Sequence, residues 1–172
     1  MPKLPLPPPE NGMVVRFNYQ WLDSPKSTKD RPACIMLVIS EPDPRVGEGE
    51  PVEEILRVVY LAISSQPPRS DQEAVEMPED VARKLGLRPP CWVVVSECNI
   101  QFWPHDVSKI PHTDDWVYGK ITPGFFNKLK TEFQKEMTRR KGAIITLNDL
   151  PARSPRPPPP RPPEPGPENT DA

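Results

Sequence analysis

The sequence predicts a mostly β domain with one long helix near its C-terminal end. The first observation is the strict alternation of apolar and polar residues over residues 13–21, which is typical of a strand with one buried face. The second is a pair of nearly continuous apolar runs, at residues 55–64 and 91–96, that are rich in β-branched side chains. The third is the helical spacing of apolar residues within residues 123–140.

Composition sets the limits of this domain. The 172 residues include 28 prolines, which concentrate at the two ends. We therefore expect a disordered proline-rich start at 1–10, one domain at 11–148, and a disordered proline-rich tail at 149–172. The formal charge of −2 argues against a nucleic-acid binder with a broad basic field, so any phosphate contact has to come from a local cluster.

The cysteines and the hydropathy pattern predict a cytoplasmic location. The three cysteines form no CxxC pair and lie in or beside apolar runs, so we expect packing thiols in a reducing compartment. No stretch has the length of a membrane span, and the start of the chain lacks the apolar core of a signal peptide. We expect a soluble cytoplasmic protein that does not enter a membrane.

The first half of the domain is predicted to contain three strands. Asn11 and Gly12 form a turn before the first strand at 13–21, and the polar residues 22–30 are predicted to form a loop. A second strand at 31–40 precedes a mobile surface insertion at 41–54 that is rich in proline, glycine and acidic residues.

Residues 55–64 then form the third strand. We expect it to be buried on both faces because its apolar character is almost continuous.

The second half mixes short elements with the long helix. A polar loop at 69–76 leads to a short helix at 78–85 that Gly86 closes, and strands follow at 91–96 and 97–103. In the long helix, the apolar residues that recur at helical spacing are Phe126, Leu129, Phe133 and Met137. Two i,i+4 ion pairs, Lys128 with Glu132 and Glu136 with Arg140, support its exposed face, and a final strand is expected at 143–147.

Arg31 is the candidate functional cation. It lies at the mouth of an apolar strand, where Pro32 stiffens the backbone and the following residues anchor it. Lys26 and Lys29 precede it and complete a local basic cluster. The alternative is that Arg31 is an ordinary solvated residue at a strand entrance.

Polar residues at the ends of two other strands are candidate partners for Arg31. Ser64, Ser65 and Gln66 leave the buried third strand at the rim of a rigid scaffold, although strand-end capping is the simpler interpretation. Glu97 and Asn99 alternate with apolar residues and could look into the same rim.

His105 and His112 lie near three aspartates, but the spacing does not define a metal site, so we predict solvated loop residues and neither a metal nor a cofactor. The polyproline run at 156–163 is expected to be an extended spacer, with docking to an aromatic groove as the alternative.

The order of several short motifs resembles the MazF/PemK family of toxin–antitoxin ribonucleases. Gly12 precedes an aromatic strand, Arg-Pro-Ala opens the next strand at 31–33, and Ala-Ile-Ser-Ser-Gln ends the third at 62–66. Glu-Cys-Asn-Ile at 97–100 and Tyr-Gly-Lys-Ile at 118–121 follow in the same order. The resemblance spans roughly residues 11–141, and each motif is short.

The resemblance implies an SH3-like, strongly curved antiparallel sheet or small barrel, as in MazF and CcdB, that forms a homodimer. It implies metal-independent cleavage of single-stranded RNA to a 2′,3′-cyclic phosphate and a 5′-hydroxyl, in a growth-inhibiting toxin neutralised by a cognate antitoxin. The paired catalytic positions of the family correspond to Arg31 and to Ser64, which stands where a threonine is expected. The substrate-binding candidates are Lys26, Lys29, Ser65, Gln66, Arg69, Glu97 and Asn99.

Three features depart from the family pattern. Serine lacks the methyl group that restricts the threonine rotamer, the insertion at 41–54 is long, and the body of the chain is acidic. The alternatives are a protein- or RNA-binding module of the same fold that does not cleave, and a gyrase poison of the CcdB kind. Removal of Arg31 or Ser64 would discriminate cleavage from binding.

Overall fold

The computed structural model of the protein describes residues 6–139 and 144–146, with side chains at all of these positions except 25–28. The predicted tail at 149–172, half of the predicted start at 1–10, and the partner of Glu136 at position 140 lie outside the described residues.

The described elements are β1 Met13–Trp21, β2 Ser24–Pro42, β3 Glu54–Ser64, β4 Ala74–Glu76, α1 Glu79–Lys84, β5 Trp92–Val94, β6 Cys98–Phe102, β7 Val107–Ser108, β8 Val117–Lys120, α2 Pro123–Arg139 and β9 Ile144–Thr146. The prediction of a mostly β domain with a C-terminal helix is confirmed.

The strands form one nine-stranded sheet that is not a closed barrel. Its main path runs β4, β5, β3, β2, β1 and β7, while β6 also pairs with β3 and β8 also pairs with β1. All pairs are antiparallel except β6 with β9. Strands β3 and β1 each change partner along their length.

Strand β2 is longer than predicted, and it corrects the interpretation of residues 22–30 as a loop. Its first residues continue the ladder with β1, where Tyr19 pairs with Lys29 and Trp21 pairs with Ser24. The turn is therefore only Leu22 and Asp23, after a register shift between Gln20 and Trp21. Backbone pairing to an established strand outweighed the polar, turn-like composition, which propensity alone does not capture.

The connection between β2 and β3 covers residues 43–53 and is shorter than the insertion predicted at 41–54. Asp43 is buried there, and its carboxylate accepts hydrogen bonds from the backbone N–H of Arg45 and, at 2.6–3.2 Å, from the Arg45 guanidinium. Its own N–H donates to the Glu53 carbonyl at 2.8 Å. The connection thus has a local polar centre.

Apolar side chains cover both faces of the sheet. One cluster packs the sheet against both helices and includes Val81 and Leu85 of α1 and Leu129 of α2. Phe126, Phe133 and Met137 pack against it, as their spacing predicted. All three cysteines are buried free thiols, Cys34, Cys91 and Cys98.

The second cluster, on the opposite face, is aromatic. Phe17 stacks on Tyr60 with ring centroids 3.9 Å apart, and Tyr19 meets Phe17 and Trp21 edge to face. This face leads directly to Arg31, which pairs with Phe17 across β1 and β2. The alternation in β1 therefore fills a core, as the sequence favoured.

None of the helices in the described part of the chain has the length and apolar character needed to cross a bilayer.

Candidate functional site

Arg31 lies at the open end of the aromatic face. Its guanidinium carbon is 4.7 Å from the centroid of the Trp21 ring, so the cation is held against an aromatic surface. Its Nε is buried without a hydrogen-bond partner, and Arg31 forms no salt bridge within the part of the chain that the structure describes. The guanidinium is therefore fixed by packing, and an anion has to approach its terminal nitrogens because Nε is enclosed.

Burial dominates the electrostatics around this cation. Partial desolvation lowers the pKa of Arg31, and the nearby Tyr19 opposes that shift. Desolvation and the neighbouring Glu97 raise the pKa of Tyr19 well above its usual range, so the phenol is neutral near pH 7. An arginine retains its charge after such a shift. The site presents a desolvated cation beside a neutral phenol.

Strand register brings Ser64 to the same place. The last pair of β2 with β3 at this end joins Ala33 to Ala62, and Arg31 and Ser64 each lie two residues beyond that pair. Both alanines belong to the aromatic cluster, and the two-residue period of strands puts Arg31 and Ser64 on that same face. Both of the predicted catalytic residues line one cavity.

The hydroxyl of Ser64 already has hydrogen-bond partners. Its Oγ donates to the Gln66 carbonyl and accepts from the Gln66 N–H, each at 3.0 Å. This arrangement is a serine turn at the end of β3, so the capping role considered from the sequence is present. To donate to a ligand, the hydroxyl has to give up its bond to the Gln66 carbonyl, whereas its second lone pair can accept a hydrogen bond without any exchange.

An open cavity of about 500 Å³ borders the pair. Its lining includes the cations Lys29, Arg31 and Arg88, together with Ser64 and Ser65. The lining also includes Asp30, whose carboxylate lies 3.6 Å from the Arg16 guanidinium of the adjacent strand. Three cations against one ion-paired carboxylate give the cavity a local positive charge, even though the whole chain is acidic.

A second cavity of about 190 Å³ adjoins the first, since Ser64 and Gln66 line both. Its other lining residues include Trp21, Asp23, Arg69 and Gln72. The Arg69 guanidinium pairs with the Asp23 carboxylate at 2.5 Å. Arg31 lines the first cavity and stacks on Trp21 of the second, so it lies between the two.

Glu97 and Asn99 line neither cavity, and both are buried. The Asn99 amide donates to the Gln20 carbonyl and accepts from the Gln20 N–H, each at 2.8 Å. The Glu97 carboxylate accepts from the Leu22 N–H at 3.4 Å. Glu97 and Asn99 therefore bind the backbone at and just after the end of β1, and they do not line the cavity beside Arg31.

Glu97 nevertheless lies in a distinctive electrostatic environment. Burial raises its pKa, and the Asp23 carboxylate adds to this effect, while the Leu22 N–H and Arg69 oppose it. The Tyr19 hydroxyl is buried beside it without a hydrogen bond of regular geometry. The Glu97 carboxylate thus interacts electrostatically with both Asp23 and Arg69, the charged pair of the second cavity.

The structure groups most of the predicted site residues. Those that line one or both cavities are Lys29, Arg31, Ser64, Ser65, Gln66 and Arg69. The side chain of Lys26 is outside the described part of the chain. Sequence reasoning missed Arg88 and Asp23: Arg88 precedes two prolines, Asp23 lies in a turn, and neither position carries a pattern. Trp21, the last residue of the alternating strand, was the feature of the sequence that pointed to this second cavity.

Among the described residues, no three or more His, Cys, Asp or Glu side chains are grouped closely enough to hold a metal ion. No protein-family model, curated protein or solved structure matches this chain.

Proposed function

We propose that the protein is a metal-independent endoribonuclease that cleaves single-stranded RNA. The observation that carries this proposal is that Arg31, a cation held against Trp21, and Ser64 line one cavity together with two further cations. The resemblance to the MazF/PemK family, with its SH3-like fold, supports the same assignment. On that basis the protein acts as a homodimeric, growth-inhibiting toxin that a cognate antitoxin neutralises.

The proposed reaction needs a fixed positive charge. The ribose 2′-oxygen attacks phosphorus, the bond to the 5′-oxygen breaks, and a 2′,3′-cyclic phosphate and a 5′-hydroxyl form. The proton of the 2′-hydroxyl passes to solvent, and the leaving 5′-oxygen takes up a proton. The phosphoryl oxygens gain negative charge during attack, and Arg31 donates hydrogen bonds to them.

Arg31 is a poor general base because its guanidinium stays protonated. It therefore stabilises the transition state by donating hydrogen bonds to the phosphoryl oxygens, and the leaving oxygen takes its proton from water. Ser64 orients the 2′-hydroxyl through the second lone pair of its oxygen, or the phosphate after its own O–H releases the Gln66 carbonyl. Lys29 and Arg88 hold the flanking phosphates, which gives the acidic chain a local RNA-binding surface.

One observation favours a second function, a module that binds RNA or an anionic partner without cleaving it. The Ser64 hydroxyl already donates to and accepts from the Gln66 backbone, as expected of a structural cap. In a module of this kind, loss of Ser64 disturbs only the turn, whereas loss of any lining cation weakens binding.

Cleavage of a labelled single-stranded RNA in excess EDTA tests the proposal. We expect the parent protein to produce cyclic-phosphate ends, and Arg31→Ala and Ser64→Ala each to lose about a hundredfold in rate. Arg83→Ala is the matched control, because Arg83 is an exposed cation on α1 that pairs with Glu79. If folded parent protein binds but leaves a broad RNA panel intact, the binding module is correct.

A further inference from the structure

We propose that the second cavity is a nucleobase site that selects guanine next to the bond that is cut. The proposal rests on the ribonuclease function proposed above, because it assigns the base specificity of that reaction. Ser64 and Gln66 line both cavities, so a ribose phosphate at Arg31 delivers a neighbouring base to the second cavity.

The size of the cavity fits a single base. At about 190 Å³ it is smaller than the pockets of about 300–1,000 Å³ that hold drug-sized ligands. The half-buried Trp21 ring supplies an apolar wall, as aromatic side chains do in proteins that bind unstacked bases. Apart from Pro67, the other lining residues are polar, which suits the hydrogen-bonding edge of a base.

Asp23 and Arg69 supply complementary groups for that edge. The ionised carboxylate of Asp23 only accepts hydrogen bonds, and the guanidinium of Arg69 only donates them. Both side chains are partly exposed, at 41% and 55%, so a ligand can reach them while they remain paired. The Arg69 N–H also donates to the Gln72 side chain at 3.3 Å, which fixes the start of this segment.

Guanine matches this pair better than the other bases. Its Watson–Crick edge carries two adjacent donors, N1–H and N2–H, for the two carboxylate oxygens, and the O6 acceptor beside them faces an arginine donor. Adenine and cytosine offer donors from one exocyclic amine only, and uracil offers a single N3–H. A good bidentate contact discriminates between bases by about tenfold or more.

Two observations link this site to the reaction centre. Trp21 lines the second cavity and also contacts the Arg31 guanidinium. Ser64 and Gln66 form the wall that the two cavities share. A base seated against Asp23 thus places its own ribose phosphate close to the catalytic cation, which restricts cleavage to one register.

The experiment maps cleavage sites in a random single-stranded RNA and then replaces guanine by inosine, which lacks the N2 amine. For the parent protein we expect guanine at one fixed position relative to the cut, with about tenfold slower cleavage of the inosine RNA. Asp23→Asn, which retains one acceptor and adds a donor, is expected to remove this difference. Asp114→Asn is the control, because Asp114 is an exposed carboxylate outside both cavities.

The outcomes separate the two proposals. Cleavage with no fixed guanine, or equal rates on guanine and inosine RNA, overturns the base site and leaves the ribonuclease standing. Binding of fluorescently labelled guanine and inosine oligonucleotides is measured in parallel. A tenfold Asp23-dependent preference in binding, without cleavage, supports the base site and overturns the ribonuclease. Thermal unfolding of Asp23→Asn verifies that the variant is folded, and Asp23→Glu provides a second carboxylate variant.

Discussion

Replacing Asn99 by alanine tests whether the polar face of β6 holds the end of β1 in place. The Asn99 side chain is fully buried and makes two hydrogen bonds of 2.8 Å to the backbone of Gln20. Alanine leaves both the N–H and the carbonyl of Gln20 without these partners. An unsatisfied buried group costs about 1–3 kcal/mol. Because Gln20 is half-buried, we take the lower part of that range for each group and expect a loss of about 2–4 kcal/mol.

Urea titration and thermal unfolding measure this loss directly. For a domain of this size, about 2–4 kcal/mol corresponds to a fall in Tm of about 8–16 °C. Asn127→Ala is the matched control, since Asn127 is exposed on α2 and its loss should change stability by less than about 0.5 kcal/mol. Differences below about 0.5 kcal/mol are within the usual scatter of mutational free energies. If the free energy of unfolding of Asn99→Ala differs from that of the parent by less than this, the proposed role of Asn99 is refuted.

Three further predictions concern the core and its buried titratable groups. Burial raises the pKa of Glu97, so the folded state binds the carboxyl proton more tightly than the unfolded state does. Stability should therefore fall as the pH rises from about 4.5, the ordinary pKa of a glutamate, through the raised pKa. Glu97→Gln should reduce this fall in urea midpoints measured from about pH 4 to 8. Leu129→Ala should cost about 2–5 kcal/mol by urea titration, whereas exposed Lys128→Ala should change little. Burial raises the pKa of Cys34 and Cys98 to about 12, so a thiol reagent should modify neither in the folded protein and both after unfolding.

Each of these three predictions has an outcome that contradicts it. A Glu97→Gln variant with an unchanged pH profile would place the carboxylate in water. A stability loss below about 1 kcal/mol in Leu129→Ala would mean that α2 contributes little to the core. Rapid modification of Cys34 in folded protein would show that its strand opens readily.

The local sequence pattern was sufficient to predict an element wherever buried residues repeat with a fixed period. The alternation over β1 predicted its boundaries, and the apolar spacing around Leu129 predicted both α2 and the face that it buries. The sequence pattern did not predict the strand at residues 24–30. These polar residues extend β2 because their backbone groups pair with those of β1. Backbone pairing depends on the neighbouring strand, which composition does not record.

For the candidate site, the sequence alone determined which residues carry cationic and hydroxyl groups and where the apolar run of each strand lies. Ser64 was identifiable because it ends β3, and Arg31 because it precedes the apolar run within β2, although β2 itself begins at Ser24. The tertiary structure decided which of these groups meet. Arg31 and Ser64 line one cavity beyond the last pair of β2 with β3, and Arg88, from the segment before β5, lines the same cavity.

The tertiary structure also reassigned Asn99 from the rim to the interior, because its amide satisfies backbone groups at the end of β1. The physical reason is that a side chain's type is local, whereas its neighbours are set by pairing and packing between segments distant in the chain.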